Sequence, residues 1–243
     1  MQRPIIAIAM GDAAGIGPEI TIKMLQDPQV YALCRPFSIA DPEVMADAIT
    51  LLGAPLAVRA VSAPEEAAFR PGTLDVLAPP DLGTIDAPRG VVSAQGGRGA
   101  ALCIAEAMRL ALGGEIQGLV TAPMNKQAFH RAGYDYADEM EFMADLTGCP
   151  HAYSLGVMDR VWTVRVAEHV AFRDIPDLIT RERVLWFIEQ LQATLLKVGR
   201  PSPRIAVAAL NVHGGEGGLF GREEIDAIAP AIADARAAGL DVT

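Results

Sequence analysis

The stretch IIAIAMGDAAGIGPEI, residues 5–20, decides the fold class. It opens with an apolar run that ends at a Gly-Asp turn, which is typical of a short strand buried on both faces. Pro18 then suits the first turn of a helix, because its missing N–H needs no partner there. We therefore expect a strand over 5–10 and a helix over 18–26, the first βα unit of a largely parallel sheet.

Outward from this unit, short apolar runs continue to alternate with helical patterns. Strands are expected over 36–40, 56–60, 73–77, 116–121 and 205–210, a hairpin over 152–157 and 161–166, and helices over 42–52, 98–112, 125–131, 181–198 and 223–238. Residues 78–97 are rich in Pro, Gly and Asp and predict a long connection. The closing GLDVT resembles a turn that enters a further strand, so we expect a fragment of a longer chain.

The amino-acid composition limits the classes of function that this chain could have. Apolar residues make up 51% of the 243, as in a globular protein, and a formal net charge of −10 disfavours binding to nucleic acid. The three cysteines, Cys34, Cys103 and Cys149, have no CxxC spacing, which predicts neither a disulfide framework nor a thiolate zinc site. The N-terminal apolar run is too short for a signal peptide or a membrane span. We expect a cytoplasmic protein.

Two of the four histidines follow predicted strands, where α/β enzymes place their ligands. His169 follows the run 161–166 and His213 follows 205–210, so the two imidazoles could share a divalent cation. The alternative is that each is a loop residue with local hydrogen bonds. His130, near a helix end, and His151, beside a proline in a turn, are expected to be structural.

Three loops carry further candidates. In NVHGGEGGLFG, residues 211–221, glycines allow the backbone to approach a ligand, and Glu216 could orient a metal-bound imidazole or cap the next helix. Lys126 in TAPMNK could pair with a substrate anion or be a solvated lysine. The loop 11–17 is either a tight turn or a ligand contact. Neither glycine loop has the dinucleotide or P-loop spacing. The acidic cluster at 138–141 is expected to be the first turn of a helix.

Together, GDAAGIGPEI, TAPMNK, EHVAFRDI and LNVHGGEGGLFGREEI, in this order and at these separations, resemble the PdxA family of 4-hydroxythreonine-4-phosphate dehydrogenase and its relatives. The resemblance extends from Ile5 to the end of the chain. It implies an isopropylmalate-dehydrogenase-like α/β fold of two intertwined lobes within residues 1–243, around a mixed, largely parallel sheet with the active site in the cleft. It also implies a homodimer that shares its active sites.

The resemblance further implies a catalytic site. A divalent cation (Zn, Mg, Mn or Co) would be held by three histidines, of which two are His169 and His213 and the third lies beyond residue 243. His213 and Lys126 would be catalytic, with NAD or NADP taking a hydride from a hydroxy acid, and loss of CO₂ can follow. Lys126, Glu139 and Met140 would contact substrate; cofactor-binding residues cannot be assigned.

One departure from the family leaves the substrate open. Glu139 and Met140 stand where the family has a His-Thr pair, which adds negative charge and should disfavour a phosphate there. The alternatives are therefore a relative acting on 4-phospho-threonate or 4-phospho-erythronate, or on a cyclic dihydrodiol dicarboxylate. A catalytically inactive, ligand-binding remnant is the alternative from another class.

Overall fold

The computed structural model describes residues 3–243, and the chain divides into two compact units. The first runs up to Ala152 and the second from Tyr153 to Thr243. Each unit has its own cluster of buried apolar side chains. None of the helices in the described part of the chain is both long and apolar enough to cross a bilayer.

The first unit is built on a five-stranded sheet in the order β3-β4-β2-β1-β5, in which every pairing is parallel. Its strands are β1 (Ile5–Ala9), β2 (Arg35–Ile39), β3 (Ala57–Val61), β4 (Thr73–Leu77) and β5 (Gly118–Thr121). The inner strand β1 is buried from Ala7 onward, as its uninterrupted apolar run predicts. The α/β class with a parallel sheet is confirmed.

Six helices connect and cover these strands. They are α1 (Gly17–Leu25), α2 (Pro28–Leu33), α3 (Pro42–Leu52), α4 (Ala94–Leu112), α5 (Lys126–Arg131) and α6 (Glu139–Thr147). Local sequence sets their ends: the Asp41 carboxylate caps α3, whose last turn ends at Gly53 with φ 57°. The acidic segment at 138–141 forms the start of α6, as expected.

Helix α4 begins four residues before the predicted start at 98. The Ser93 hydroxyl accepts a hydrogen bond from the Gly96 N–H at 3.1 Å and caps the helix. The glycines at 96 and 97 had suggested a connection, but they lie inside the helix. They are glycines because neighbouring groups leave no space for a side chain there. The connection before α4 is shorter than predicted for this reason.

The second unit contains the predicted hairpin and two longer helical segments. Strands β6 (Leu155–Met158) and β7 (Val161–Val164) pair antiparallel, α7 (Ile175–Leu178) follows, and α8 spans Arg181–Lys197. The Thr180 hydroxyl caps α8, as expected. The predicted helix over 223–238 is a π-helical stretch, Glu224–Ile228, continued by α9 (Ala229–Ala237).

The strand predicted over 205–210 is formed only at its first residues. Ile205 makes a parallel bridge with Val242, and the other residues of the run are not assigned to a strand. A strand is defined by hydrogen bonds to neighbours, and an apolar run cannot form one without them. Among the described residues, the closing residues 241–243 are the segment that hydrogen-bonds to the backbone of this run.

Candidate functional site

The loops after β1 and β5 meet at the carboxyl edge of the sheet in the first unit. Ala9 lies opposite Thr121, so the two loops leave the same edge. The Asp12 N–H donates to the Pro123 carbonyl at 3.1 Å, and a Cβ on Gly11 would lie 2.4 Å from that same oxygen. Only glycine permits this approach. A cavity of about 300 Å³ opens here, lined by Asp12, Ala14, Gly15, Ile16, 90–92 and 123–125.

Asp12 is a buried carboxylate at this edge, with 4% of its surface exposed. Its Oδ1 accepts the Ala14 N–H at 2.9 Å and lies so near the first turn of α4 that a Cβ on Gly96 would be 2.3 Å away. Negative charge is stabilised at a helix N-terminus. The loop 11–17 therefore contains the tight turn that the sequence analysis named as one alternative. Its Asp12 carboxylate stabilises the N-terminus of α4.

Lys126 is the first residue of α5, immediately after the same edge. The Asn125 side chain caps this helix by accepting the Ala128 N–H at 3.0 Å. Lys126 is exposed and makes no ion pair or hydrogen bond with any residue in 3–243. Its ammonium group is therefore available to an anion. At the other end of α5, His130 Nε2 donates to the Tyr136 carbonyl at 2.9 Å, a structural contact as expected.

The start of α6 holds Glu139 and Met140, both half-buried. The flanking acids cap the start of the helix: Asp138 accepts the Glu141 N–H at 2.9 Å, and the Glu141 carboxylate accepts the N–H of Ala137, the residue before the cap, at 2.6 Å. Within the described chain the Glu139 carboxylate has no such partner. Two of the three acids of this cluster are consequently structural, and Glu139 is the one free to meet a ligand.

The second unit carries both candidate metal ligands. His169 lies in the loop after β7, and His213 lies in the loop after the run 205–210. The segments that lead to these loops line one apolar cavity of about 400 Å³, which includes Val166 and Leu210. The two histidine loops therefore leave the same groove.

Both histidines have a left-handed backbone, with φ 55° at His169 and φ 55° at His213. Residues 213–217 form a run with positive φ and ψ that includes Glu216 at φ 50°. Non-glycine residues adopt this conformation at a cost of about 1–2 kcal/mol each, and such strain concentrates at functional sites. The backbone strain at His169 and His213 supports a functional role for both residues.

Asn211 and Glu224 hold the glycine-rich loop in place. The Glu224 Oε1 accepts the Asn211 N–H at 2.8 Å, and the Asn211 Nδ2 donates to the Phe220 carbonyl at 2.7 Å. The hydrogen bond from Asn211 holds the pKa of the Glu224 carboxyl below its usual range. Sequence reasoning missed both residues and considered Glu216 instead. Glu216 caps no helix, and its carboxylate makes no hydrogen bond among the described residues.

Glu168 is a second residue that the sequence analysis missed. Its Oε1 lies 3.8 Å from His169 Nε2, and its carboxylate accepts hydrogen bonds from the Ser154 hydroxyl at 2.9 Å and from the Arg165 guanidinium. The Arg165 hydrogen bond holds the pKa of this carboxyl below its usual range. At 3.8 Å the carboxylate is beyond hydrogen-bond distance from the imidazole and is a neighbouring negative charge beside the ring. The signal in the sequence was the Glu-His pair itself.

The donor set in this unit fits a cation only in part. Two imidazoles suit several divalent metals, and a carboxylate neighbour is typical of metal-bound histidine. Within residues 3–243, however, no three His, Cys, Asp or Glu side chains come together as a set that could hold a metal. A complete site would need a further ligand from outside these residues.

A parallel sheet with candidate binding residues at its carboxyl edge, together with two strained histidines beside a groove, defines an α/β protein of enzyme-like architecture. The family described as pyridoxal phosphate biosynthetic protein PdxA matches residues 32–243. The chain belongs to this family.

Individual relatives agree. A 4-hydroxythreonine-4-phosphate dehydrogenase from Trichlorobacter lovleyi is 40% identical over 242 residues, which cover 99% of this chain and 72% of the relative. A D-threonate 4-phosphate dehydrogenase from Cupriavidus necator is 40% identical over 242 residues, covering 98% and 72%. The crystal structure of 4-hydroxythreonine-4-phosphate dehydrogenase from Klebsiella pneumoniae superposes with a TM-score of 0.89 at 37% identity, covering 99% and 73%. The predicted family is confirmed.

Proposed function

We propose that this chain is a metal-dependent, nicotinamide-linked dehydrogenase that oxidises the hydroxyl group of a phosphorylated hydroxy acid. The observation that carries the proposal is the pair of left-handed histidines, His169 and His213, in two loops that leave one groove. The names of relatives at 40% identity supply the reaction class. Strain that lowers stability is retained where function requires it.

His169 and His213 are the residues that would hold the cation. A divalent cation held there would lower the pKa of the substrate hydroxyl, and NAD or NADP would supply the acceptor for the hydride on the carbon that bears this hydroxyl. Glu168 places a negative charge beside the His169 ring, because its own carboxylate is fixed by Ser154 and Arg165. The strained backbone at His213 is held by the Asn211 and Glu224 contacts described above.

In the first unit, the side chains of Lys126, Glu139 and Met140 are proposed to contact substrate. Lys126 offers an unpaired ammonium group to a phosphate or carboxylate. Glu139, with Met140 beside it, offers a carboxylate without a partner among residues 3–243, which favours a donor group on the substrate and disfavours a phosphate at that point.

The two relatives at 40% identity carry different substrate names, so the substrate is a choice between two chemistries. 4-Hydroxythreonine-4-phosphate has an amino group, whereas 4-phospho-threonate has a hydroxyl in its place. Both groups donate to a carboxylate, but the ammonium form gains an ion pair as well. If Glu139 meets this position, it favours the amino substrate, and Glu139→Gln reduces that preference.

The proposal includes a homodimer whose subunits share each site, and a cytoplasmic location. The missing third ligand among the described residues supports an assembly or segment that brings another donor. The mass in solution, measured by light scattering after gel filtration, tests the dimer; a monomer at all concentrations would contradict it.

The decisive experiment uses the complete protein, so that every ligand of the cation can be present, and screens both phosphorylated acids with NAD or NADP and with Mg²⁺, Mn²⁺, Co²⁺ or Zn²⁺. Metal-dependent appearance of the reduced nicotinamide absorbance is expected with one of the two acids. His213→Ala should abolish both turnover and cation binding by calorimetry. His130→Ala is the matched control, since His130 is an exposed histidine with a structural contact, and it should leave both unchanged.

Two results would contradict the proposal. Unchanged turnover or cation binding in His213→Ala would remove the metal role of this histidine. Absence of any turnover and of any cation binding in the complete wild-type protein, with every acid and metal, would instead favour a catalytically inactive ligand-binding protein.

A further inference from the structure

The glycine-rich loop between residues 211 and 221 contains a left-handed turn. Residues 213–217 all have positive φ and ψ, with φ between 50° and 70°, and Val212–Gly218 has the hydrogen-bond pattern of a 3₁₀-helix. Left-handed residues normally occur singly in proteins, because the right-handed form is favoured for L-amino acids. Five of them in succession therefore form a distinct structural element, which presents its side chains in a fixed order.

The turn has three faces, because residues three apart in a 3₁₀ geometry lie above one another. Gly215 and Gly218 share the face that packs against residues 221–225: a Cβ on Gly215 would come within 2.9 Å of an atom of that segment, and one on Gly218 within 3.4 Å. Gly214 and Gly217 share a second face, where a Cβ would meet no described atom within 4 Å. The packed pair and the open pair agree with a repeat of three residues.

The third face carries both side chains of the turn. His213 and Glu216 are three residues apart, and all other residues between 213 and 218 are glycine. Both side chains are exposed, and both residues keep a left-handed backbone that glycine would adopt without steric cost. Backbone strain of this kind is found where function requires it. The two strained positions of the turn are thus the two that share a face.

An imidazole and a carboxylate on one face can bind the same ion. Glutamate and histidine three residues apart on a helix are a known pair of ligands for metal ions in helical bundles. The Glu216 carboxylate makes no hydrogen bond or ion pair within residues 3–243, so its oxygen atoms are available. Glu216 therefore has the position and the chemistry of a metal ligand beside His213.

We propose that the carboxylate of Glu216 is a further ligand of the divalent cation that His213 binds. This inference rests on the proposed metal role of His213. Since no three His, Cys, Asp or Glu side chains come together within residues 3–243, the cation also needs a donor from outside them. Carboxylate oxygen suits Mg²⁺ and Mn²⁺, whereas imidazole suits Zn²⁺. Glu216 therefore raises the affinity for Mg²⁺ and Mn²⁺ more than the affinity for Zn²⁺.

The test uses the complete protein and measures the affinities for Mn²⁺ and Zn²⁺ by calorimetry, without substrate or nicotinamide. Glu216→Gln should weaken Mn²⁺ binding by at least about tenfold, a loss typical even of groups that only support a ligand, and should weaken Zn²⁺ binding less. The visible absorption spectrum of the Co²⁺-loaded protein should change as well, because it reports the number and kind of ligands. Glu223→Gln, the same charge change at an acid outside the turn, should alter neither measurement.

Moving the carboxylate to another face of the turn is the sharpest control. The double variant Glu216→Gly with Gly217→Glu keeps the composition and the net charge, and a side chain at 217 has open space. Because residue 217 lies on the face of Gly214, Mn²⁺ affinity should stay as weak as in Glu216→Gly alone. Glu216→Gly by itself should raise the melting temperature, since it relieves backbone strain, whereas loss of a structural side chain would lower it.

The outcomes separate this inference from the proposed function. If His213→Ala abolishes Mn²⁺ binding while Glu216→Gln leaves the affinities and the Co²⁺ spectrum unchanged, the role of Glu216 is refuted and that of His213 stands. If neither variant affects cation binding, the proposed function fails as well. If Glu216→Gln lowers the melting temperature and leaves cation binding unchanged, the carboxylate pairs with a basic group instead, and the inference is overturned. Recovery of Mn²⁺ affinity in the double variant would also overturn it.

Discussion

Gly97→Ala tests how closely the helix that carries Lys126 is fixed to the first unit. A Cβ at Gly97 would lie 2.0 Å from the Ala128 carbonyl oxygen, 2.2 Å from its carbon and 2.6 Å from the Phe129 nitrogen. Non-bonded carbons prefer about 3.5–4.0 Å, so α4 and α5 would have to separate by roughly 1 Å or more. The obstacle is backbone, which cannot rotate away as a side chain can.

The expected loss is about 2 kcal/mol. Overpacking in a core costs about 1–3 kcal/mol, and the upper end applies because three backbone atoms are affected. Alanine regains about 1 kcal/mol over glycine inside a helix. For a chain of this size, about 2 kcal/mol lowers the melting temperature by roughly 4–8 °C. Thermal unfolding followed by circular dichroism measures it.

Gly99→Ala is the matched control in the same helix. Its Cβ would meet only the Ile85 Cδ1, at 2.7 Å, and this methyl is the end of a flexible side chain. We expect it to be neutral or stabilising by up to about 1 kcal/mol. Hydrogen exchange should show faster opening of α5 in Gly97→Ala alone. Equal melting temperatures for the two variants would refute the reasoning.

The remaining predictions concern the second unit. His213→Gly should be about 1 kcal/mol more stable than His213→Ala, because glycine relieves the left-handed strain; equal thermal stability would contradict this. Glu168→Gln should weaken cation binding about tenfold by removing the negative charge beside the ring of His169, and unchanged calorimetric affinity would argue against it. Asp234→Asn should lower the free energy of unfolding most at neutral pH. The hydrogen bond from Arg181 lowers the pKa of Asp234. The stabilisation from this pair is therefore present above the ordinary pKa of an aspartate and is lost as the pH falls through the lowered value. A difference from wild type in urea unfolding that persists in strong acid would exclude this cause.

The secondary structure was largely predictable where nearby residues in the sequence determine it. The strand at 73–77 and the helix at 42–52 were predicted with their exact bounds, since apolar runs, caps and terminal glycines mark them directly. The start of α4 was not, because the glycines at 96 and 97 are explained by atoms of Asp12 and Ala128, which lie far away in the sequence. The strand predicted over 205–210 was wrong for the opposite reason: the pattern is that of a strand, but among the described residues the run pairs only with the closing residues 241–243.

The sequence identified the two histidines as candidate site residues, but it did not identify the residues that surround them. His169 and His213 follow apolar runs, and that position alone made them candidates. Asn211 and Glu224 hold the loop of His213 through specific hydrogen bonds that no periodicity reveals. Glu168, whose carboxylate lies 3.8 Å from His169 Nε2, is placed there by hydrogen bonds from Ser154 and Arg165. Glu216, at the centre of the glycine loop, attracted attention by position, yet its side chain has no such role in the described structure.

Backbone strain adds a second observation, beside position in the sequence, on the two interpretations of the histidines. Five non-glycine residues have positive φ in the described chain: Phe69, Asp159, His169, His213 and Glu216. Glycine would adopt this conformation without the steric cost that a Cβ brings. Both candidate ligands instead keep a conformation that costs about 1–2 kcal/mol each, a large share of the 5–15 kcal/mol that stabilises a typical protein. Strain at both positions, in loops that leave one groove, favours selection for a ligand over selection for stability.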